Sequence, residues 1–254
     1  MRTLLGFIVL LALTPPFAAI VVIAANLGLK DRKGSLFEWL PRVWARALNA
    51  AGGMRLRVHN EERMLDPAPH IYVCNHLSWF DVTALVAVLP RFKFVAKAEL
   101  GRIPIFGPGM RAVGTVEIER ENRKAAFAAY QQAALRIRAG DPVVVFPEGT
   151  RGTTYAIRPF KKGPFVLAIA SGVPIVPTII HGTIHVLPRG SWWLRSGDVD
   201  IHFLEPVPTA GLGYEDRDRL AAEVRERMAA AMREIYGVDS PDAEPNAPAD
   251  APAR

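Results

Sequence analysis

The sequence predicts an α/β protein, a mixed and largely parallel sheet flanked by helices, with N-terminal membrane-associated helices ahead of it. Three observations carry that expectation. Short apolar runs alternate with stretches of helical period. Strands separated by helices imply a largely parallel or mixed sheet covered on its faces, although residues 115–119 alternate. The chain opens with an uncharged segment, residues 3–29.

That opening segment is flanked by Arg2 and by Lys30, Arg32 and Lys33. As a continuous helix it would be about 40 Å long, enough to cross a bilayer core of about 30 Å. Pro15 and Pro16 remove two amide donors near its middle, so a kinked or broken helix is expected, its arms spanning as a bent rod or dipping in and returning. The basic residues that follow put the rest of the chain on the cytoplasmic side, at the cytoplasmic membrane. Ala24 and Ala25 would suit a cleaved signal peptide, but the long, proline-broken apolar region fits that less well. Residues 35–51 set Leu36, Trp39, Leu40, Val43, Trp44, Ala47 and Leu48 at helical spacing, with Arg42 and Arg46 on another face. They predict a helix lying in the membrane interface or packed on the domain, with Pro41 delaying its start.

Beyond this anchor the expected order is a strand at residues 71–74, a helix at 78–88, strands at 92–96 and 115–119, and a helix at 123–139 closed by Gly140. A buried strand at 143–146, a helix at 165–171 ending at Gly172, and a strand at 175–180 follow. Residues 192–208 read as a late strand pair or edge, and 214–236 as a charged amphipathic helix. After Gly237 the Asp-, Pro- and Ala-rich tail reads as disordered. The domain plan is an anchor over residues 1–53, a catalytic domain over 54–238 and a tail over 239–254.

The 254 residues carry a net charge of +6, and the tail is acidic, so the remainder is more basic still. Such a surface suits anionic headgroups, acidic carrier proteins, phosphorylated small molecules or nucleic acid. No basic–aromatic platform supports nucleic acid. Cys74 is the only cysteine, which excludes an intramolecular disulfide and a cysteine-based metal cluster.

Two segments carry chemistry. Asn75-His76-Leu77-Ser78-Trp79-Phe80-Asp81 follows an apolar strand and opens a helix, so His76 lies at a carboxyl end, where sheets line crevices. Its imidazole can accept a proton near neutral pH, and a carboxylate on its other nitrogen, Asp81 being five residues on, would fix the tautomer. The same residues fit a capping box, with Ser78 as cap and Asp81 returning the bond. Both roles suit Ser78; they sit less easily together on Asp81. Phe146-Pro147-Glu148-Gly149-Thr150-Arg151 follows another strand. Gly149 permits a turn, Arg151 can grip a phosphate bidentately and Glu148 can accept a bond from an acceptor hydroxyl. A surface turn with a Glu–Arg pair is the plainer alternative. Lys97, Arg120 and Lys161 are further candidate phosphate ligands. No metal site is expected: His181 and His185 would lie about 13 Å apart on a strand, with Gly182 opposing a helix, and His59, His70 and His202 have no acidic or cysteine company at ligand spacing.

In these motifs the chain resembles the lysophosphatidic acid acyltransferases, the bacterial 1-acylglycerol-3-phosphate acyltransferases within the glycerolipid acyltransferase superfamily. The likeness runs from about Met54 to Val207 and covers four blocks in order. The Asn-His-x-Ser-x-x-Asp block is complete and implies general-base and orienting roles for His76 and Asp81. A Gly-x-x-x-x-x-Arg block falls on Gly114 to Arg120. The complete Phe-Pro-Glu-Gly-Thr-Arg block implies acceptor-phosphate binding by Glu148, Gly149, Thr150 and Arg151, and an apolar-proline block falls on Val173 to Pro177. Glu117, where the family is usually apolar or aromatic, and Gly152, where Ser is common, leave the acceptor's identity open.

The resemblance implies transfer of a fatty acyl group from acyl-CoA or acyl carrier protein to the free hydroxyl of lysophosphatidic acid at a membrane, giving phosphatidic acid, with no resident cofactor. Rival readings are an O-acyltransferase for another lysolipid, such as a lyso-ornithine lipid or a lysophospholipid, or for glycerol-3-phosphate itself. A thioesterase and a non-catalytic membrane- or acyl-carrier-binding protein stand further off.

Overall fold

The computed structural model describes residues 1–64, 68–119 and 123–241. Among them seven strands form one sheet: β1 (Met54–His59), β2 (Ile71–Cys74), β3 (Lys93–Lys97), β4 (Val116–Ile118), β5 (Val143–Val145), β6 (Ile175–His181) and β7 (Gly197–Phe203). Their spatial order is β1-β7-β6-β2-β5-β3-β4, and every pair is parallel except β6 with β7. The fold is therefore the mixed, mostly parallel α/β sheet that the apolar runs predict.

Both faces of the sheet are covered, which explains why β2 and β5 at its centre carry no charged residue and β6 is apolar but for Thr178 and the terminal His181. On one face Ile71, Val73, Val143, Val145, Ile175 and Ile179 pack against α5 (Arg123–Arg138), α6 (Gly163–Ser171) and α8 (Arg217–Tyr236). On the other, Tyr72, Cys74, Val144, Val176, Ile180 and Phe203 pack against α3 (Trp79–Val88). α2 (Leu36–Gly52) lies on α3 and β1, and α1 (Arg2–Asn26) lies on α2 and α4 (Phe106–Ala112).

Three expectations change. The pair Pro15-Pro16 does not break α1, which is one helix of 25 residues, about 37 Å long. Tertiary contacts near its start, its middle and its end hold it in place. Leu194 N–H donates to Thr3 Oγ1 at 3.0 Å, Trp44 Nε1 donates to Thr14 Oγ1 at 2.9 Å, and Val21 and Ala24 are buried with Phe37 and Leu40 of α2. Pro41 does not delay α2, which begins at Leu36 and buries Phe37, Leu40, Ala45 and Leu48 against its neighbours. The late segment, read as a strand pair or edge, supplies a single strand, β7, and it lies inside the sheet because β1 covers its outer side. β1 was not expected at all: Arg55, Arg57 and His59 on its polar face hide a strand that pairs with β7 over six residues. The tail expected to be disordered after Gly237 is ordered over residues 238–241, where Ser240 is buried and its Oγ accepts from Ile157 N–H at 2.8 Å and Pro241 O accepts from Arg225 Nη2 at 2.7 Å; from residue 242 onward it lies outside the described residues.

Candidate active site

β2 and β5 are parallel neighbours with Val73 opposite Val145, so the segments leaving their carboxyl ends run side by side. This brings together two motifs that lie about seventy residues apart in the chain. Asn75 extends the ladder with its side chain, donating to Ile180 O at 2.9 Å and accepting from Ile180 N–H at 2.7 Å. His76 follows; its ring stacks on Phe146 at 4.1 Å, and its carbonyl accepts from Gly152 N–H at 2.7 Å.

His76 Nδ1 lies 2.8 Å from Asp81 Oδ2. The same Oδ2 accepts from the backbone N–H of Leu77 at 2.6 Å and of Ser78 at 2.8 Å, while Oδ1 accepts from the Thr183 hydroxyl. Asp81 is fully buried, and it closes the capping box of α3 while holding the imidazole. The two roles are compatible because they share one oxygen at the helix N-terminus, where a carboxylate also gains from the helix dipole. Ser78 Oγ accepts from Phe80 N–H and donates to Leu187 O at 2.8 Å. With Nδ1–H given to Asp81, a neutral ring carries its lone pair on Nε2.

Glu148 is 4% exposed, and its partner is Arg158 rather than Arg151. Arg158 Nε donates to Oε2 at 2.7 Å, its Nη2 donates to Thr150 O, and the His76 amide reaches Oε1 at 3.3 Å. Burial raises the Glu148 carboxyl above the usual range, and the Arg158 guanidinium opposes that rise. Glu148 and Arg158 thus staple the second motif to the first, and both Glu148 oxygens are engaged. Arg151, by contrast, borders a cavity, with its guanidinium 5.1 Å from the Trp79 ring centroid. Burial and the nearby Arg189 lower its affinity for its proton. Two guanidiniums close enough to oppose one another make a setting for an anion.

The cavity, about 470 Å³, is bordered by His76, Trp79, Gly149, Thr150, Arg151 and Arg189 at one end. It continues past Phe94, Val86 and Met110 to Phe17 and Val21 of α1. Lys97, exposed at the end of β3, also lines it. Lys161 does not: its side chain is exposed, and its backbone N–H donates to Pro147 O at 2.8 Å. Arg120 lies outside the described residues. Arg158, Thr183 and Arg189 belong to no sequence motif and offered no signal in spacing; only the tertiary contacts reveal them.

The histidines outside this site also change meaning. The β1–β7 register sets His59 opposite His202, with Asp200, two residues before His202 in the chain, on the same face; the expectation of no acidic company therefore fails, for His202 along its own strand and for His59 across strands. Ligand atoms of these three lie within 4.8 Å of one another. Each ring already has a protein partner: His59 Nε2 with Asp200 at 2.9 Å, and His202 Nε2 with the Tyr236 hydroxyl at 2.7 Å. Gly182, at φ +100°, turns the chain out of β6 where a Cβ would strike Asp198 O, and it starts the short helix α7 (Thr183–Val186). His181 therefore ends the strand while His185 sits on a helix, and both rings lie against Tyr155.

A family model described as acyltransferase matches residues 55–181. The chain is 32% identical over 221 residues to a 1-acyl-sn-glycerol-3-phosphate acyltransferase of Chlamydomonas reinhardtii, covering 86% of this chain and 65% of that protein. It is 34% identical over 185 residues to the human 1-acyl-sn-glycerol-3-phosphate acyltransferase alpha, covering 72% and 65%. A chloroplastic relative from Brassica napus is 33% identical over 166 residues, covering 65% and 46%. The chain thus spans about half to two thirds of the length of these relatives. The crystal structure of the acyltransferase PlsC from Thermotoga maritima shares the fold, with a TM-score of 0.76 at 23% identity over 93% of this chain and 97% of that one. The chain belongs to the acyltransferase family, among the PlsC-like members of the glycerolipid acyltransferase superfamily.

Proposed function

We propose that the protein moves a fatty acyl group from a thioester, acyl-CoA or acyl carrier protein, to the free hydroxyl of 1-acylglycerol-3-phosphate, giving phosphatidic acid. The observation that carries this reading is the His76–Asp81 pair, whose imidazole lines a largely apolar cavity that Arg151 and residues of α1 also line. The apolar lining suits an acyl chain, and Arg151 suits a phosphate.

In this reading His76 Nε2 takes the proton of the acceptor hydroxyl as its oxygen attacks the thioester carbonyl. Asp81 stabilises the imidazolium through Nδ1, and the tetrahedral intermediate collapses with cleavage of the C–S bond. A thiol of pKa about 8.5 leaves readily as thiolate and recovers the proton from the imidazolium or from water. No acyl-enzyme is needed; Cys74 is fully buried and burial raises its thiol pKa, which speaks against a nucleophilic role. Arg151, with Lys97 and Arg189 nearby, holds the acceptor phosphate.

Attachment of α1 to the membrane completes the reading. Leu4, Leu5, Ile8, Leu11, Ile20 and Ile23 are exposed along it, and Thr14, Phe17, Ala18 and Val21 of the same helix line the cavity. Since α1 packs on the domain near both ends, it lies in the interface of the cytoplasmic leaflet rather than crossing it, and acceptor and product need not leave the lipid phase.

The test is thiol release by detergent-solubilised protein with each donor, with and without lysophosphatidic acid, beside His76→Ala. Release that requires lysophosphatidic acid and His76 supports the proposal. Release without acceptor would replace it with a thioesterase, and silence with both donors would direct the search to other lysolipids.

A further inference from the structure

Residues 187–196 connect α7 to β7 and reach two places at once. At one end Arg189 borders the cavity, and its Nη1 donates to Arg151 O at 2.9 Å. At the other, Trp192 stacks on Phe7 of α1 at 6.2 Å, and Leu194 packs on Gly6, where its Cδ1 lies 2.4 Å from the place a Cβ would take. Between these contacts the backbone is fixed by Ser191 N–H to Pro188 O, Trp193 N–H to Ser191 Oγ and Arg195 N–H to Val186 O. Yet Trp192 and Trp193 are each 73% exposed, a costly arrangement in water for two adjacent indoles on an ordered segment.

We propose that this segment is a second membrane contact, inserting Trp192 and Trp193 into the lipid headgroup interface beside α1. The proposal rests on the membrane reading of α1 given above. A lipid surface is the occupant because the indole patch continues the exposed apolar face of α1 through the Phe7 stack, so one plane touches both. Indoles favour that depth, apolar body inward and N–H toward water, and the flanking Arg189 and Arg195 suit anionic headgroups. The loop's rigidity then gives the contact a catalytic consequence. Seating the tryptophans sets Arg189, and through it the backbone of Arg151, at headgroup depth, where the phosphate of a lysolipid lies.

The experiment uses environment-sensitive thiol labels on the full chain, whose only native cysteine is fully buried. One label is placed by Trp193→Cys and a second, on separate protein, by Leu11→Cys in α1. Both are titrated with vesicles of phosphatidylglycerol and phosphatidylcholine. A blue shift and gain in emission from both labels supports the proposal. A response from Leu11→Cys alone overturns it while leaving the membrane reading of α1 intact, and silence from both overturns the two together. In parallel, Trp192→Ala/Trp193→Ala is expected to lower vesicle affinity by about tenfold or more. It should raise the apparent KM for lysophosphatidic acid presented in vesicles while leaving turnover in detergent micelles unchanged. Vesicle affinity equal to that of the parent chain would overturn the proposal.

Discussion

Asp81 Oδ2 lies 2.8 Å from His76 Nδ1 and equally close to the amide of Ser78, so one oxygen both orients the imidazole and starts α3. The coupling makes the helix start and the base a single unit. Rotating the carboxylate to release one would release the other.

Asp81→Asn therefore does more than remove a charge. The amide must set an NH₂ group against one of the four donors that now converge on the carboxylate, in a place with no access to water. The expected cost is about 1–3 kcal/mol in stability, read as a fall in the thermal midpoint. Turnover should drop by about a hundredfold or more, as in His76→Ala. His76→Ala, by contrast, should melt close to the parent chain, because the ring lines the cavity and its partner keeps three other donors. Equal destabilisation of the two variants would contradict this division of roles.

Glu148 and Arg158 make a different kind of pair. The carboxylate is nearly inaccessible, and its side-chain partner is the guanidinium that also binds the Thr150 carbonyl. Arg158→Met would leave a buried, uncompensated carboxylate, at a cost of about 3–5 kcal/mol. Adding Glu148→Gln should recover part of that loss, because the unpaired charge is gone. Thermal melts of the parent, the single variant and the double variant measure the coupling directly. If Glu148 instead contacts the acceptor, Arg158→Met would spare stability and raise KM alone.

The contrast between these pairs shows what the sequence could reveal. His76 and Asp81 are five residues apart, and their relation follows from a strand leading into a capped helix, so local rules expose it. Arg158, Thr183 and Arg189 act on residues 10, 102 and 38 positions away, across elements whose adjacency comes from sheet order. No spacing rule reaches them. The central strands β2, β5 and β6 were legible because burial on both faces leaves them almost wholly apolar. β1 was not, because Arg55, Arg57 and His59 face solvent and the ion pairs with Asp198 and Asp200. The continuity of α1 through two prolines was likewise hidden, since α2, α4 and Leu194 supply the packing that local propensity lacks.

Arg151 tests the nature of the acceptor. Its guanidinium lies over Trp79 beside Arg189, so a lysine would weaken the cation–π contact and lose the bidentate fork. Arg151→Lys is expected to raise KM for lysophosphatidic acid by about tenfold or more, in line with loss of a charge-assisted hydrogen bond worth about 1.5–3 kcal/mol. The thermal midpoint should change little. With a lysolipid acceptor lacking the phosphate monoester, the same substitution should matter much less. Equal losses with both acceptors would move the phosphate contact away from Arg151.

His202 gives the fold a distinct response to acid. Burial first, and then the neighbouring His59 and His181, push its pKa from the ordinary 6.5 down to about 4, while Asp200 pulls the other way. The folded protein thus keeps a neutral imidazole, hydrogen-bonded to the Tyr236 hydroxyl at 2.7 Å. The unfolded chain takes up this proton near pH 6.5, the folded chain only near pH 4, so between those values the unfolded state binds more protons. The His202 contribution is therefore fully present above pH 6.5 and is lost progressively as the pH falls toward 4. His202→Gln can still accept from Tyr236 but cannot titrate. Thermal midpoints measured from pH 7.5 to 4.5 should fall more steeply for the parent chain than for this variant. Parallel curves would assign the acid sensitivity to other groups, with His181, whose pKa burial also lowers, the next to replace.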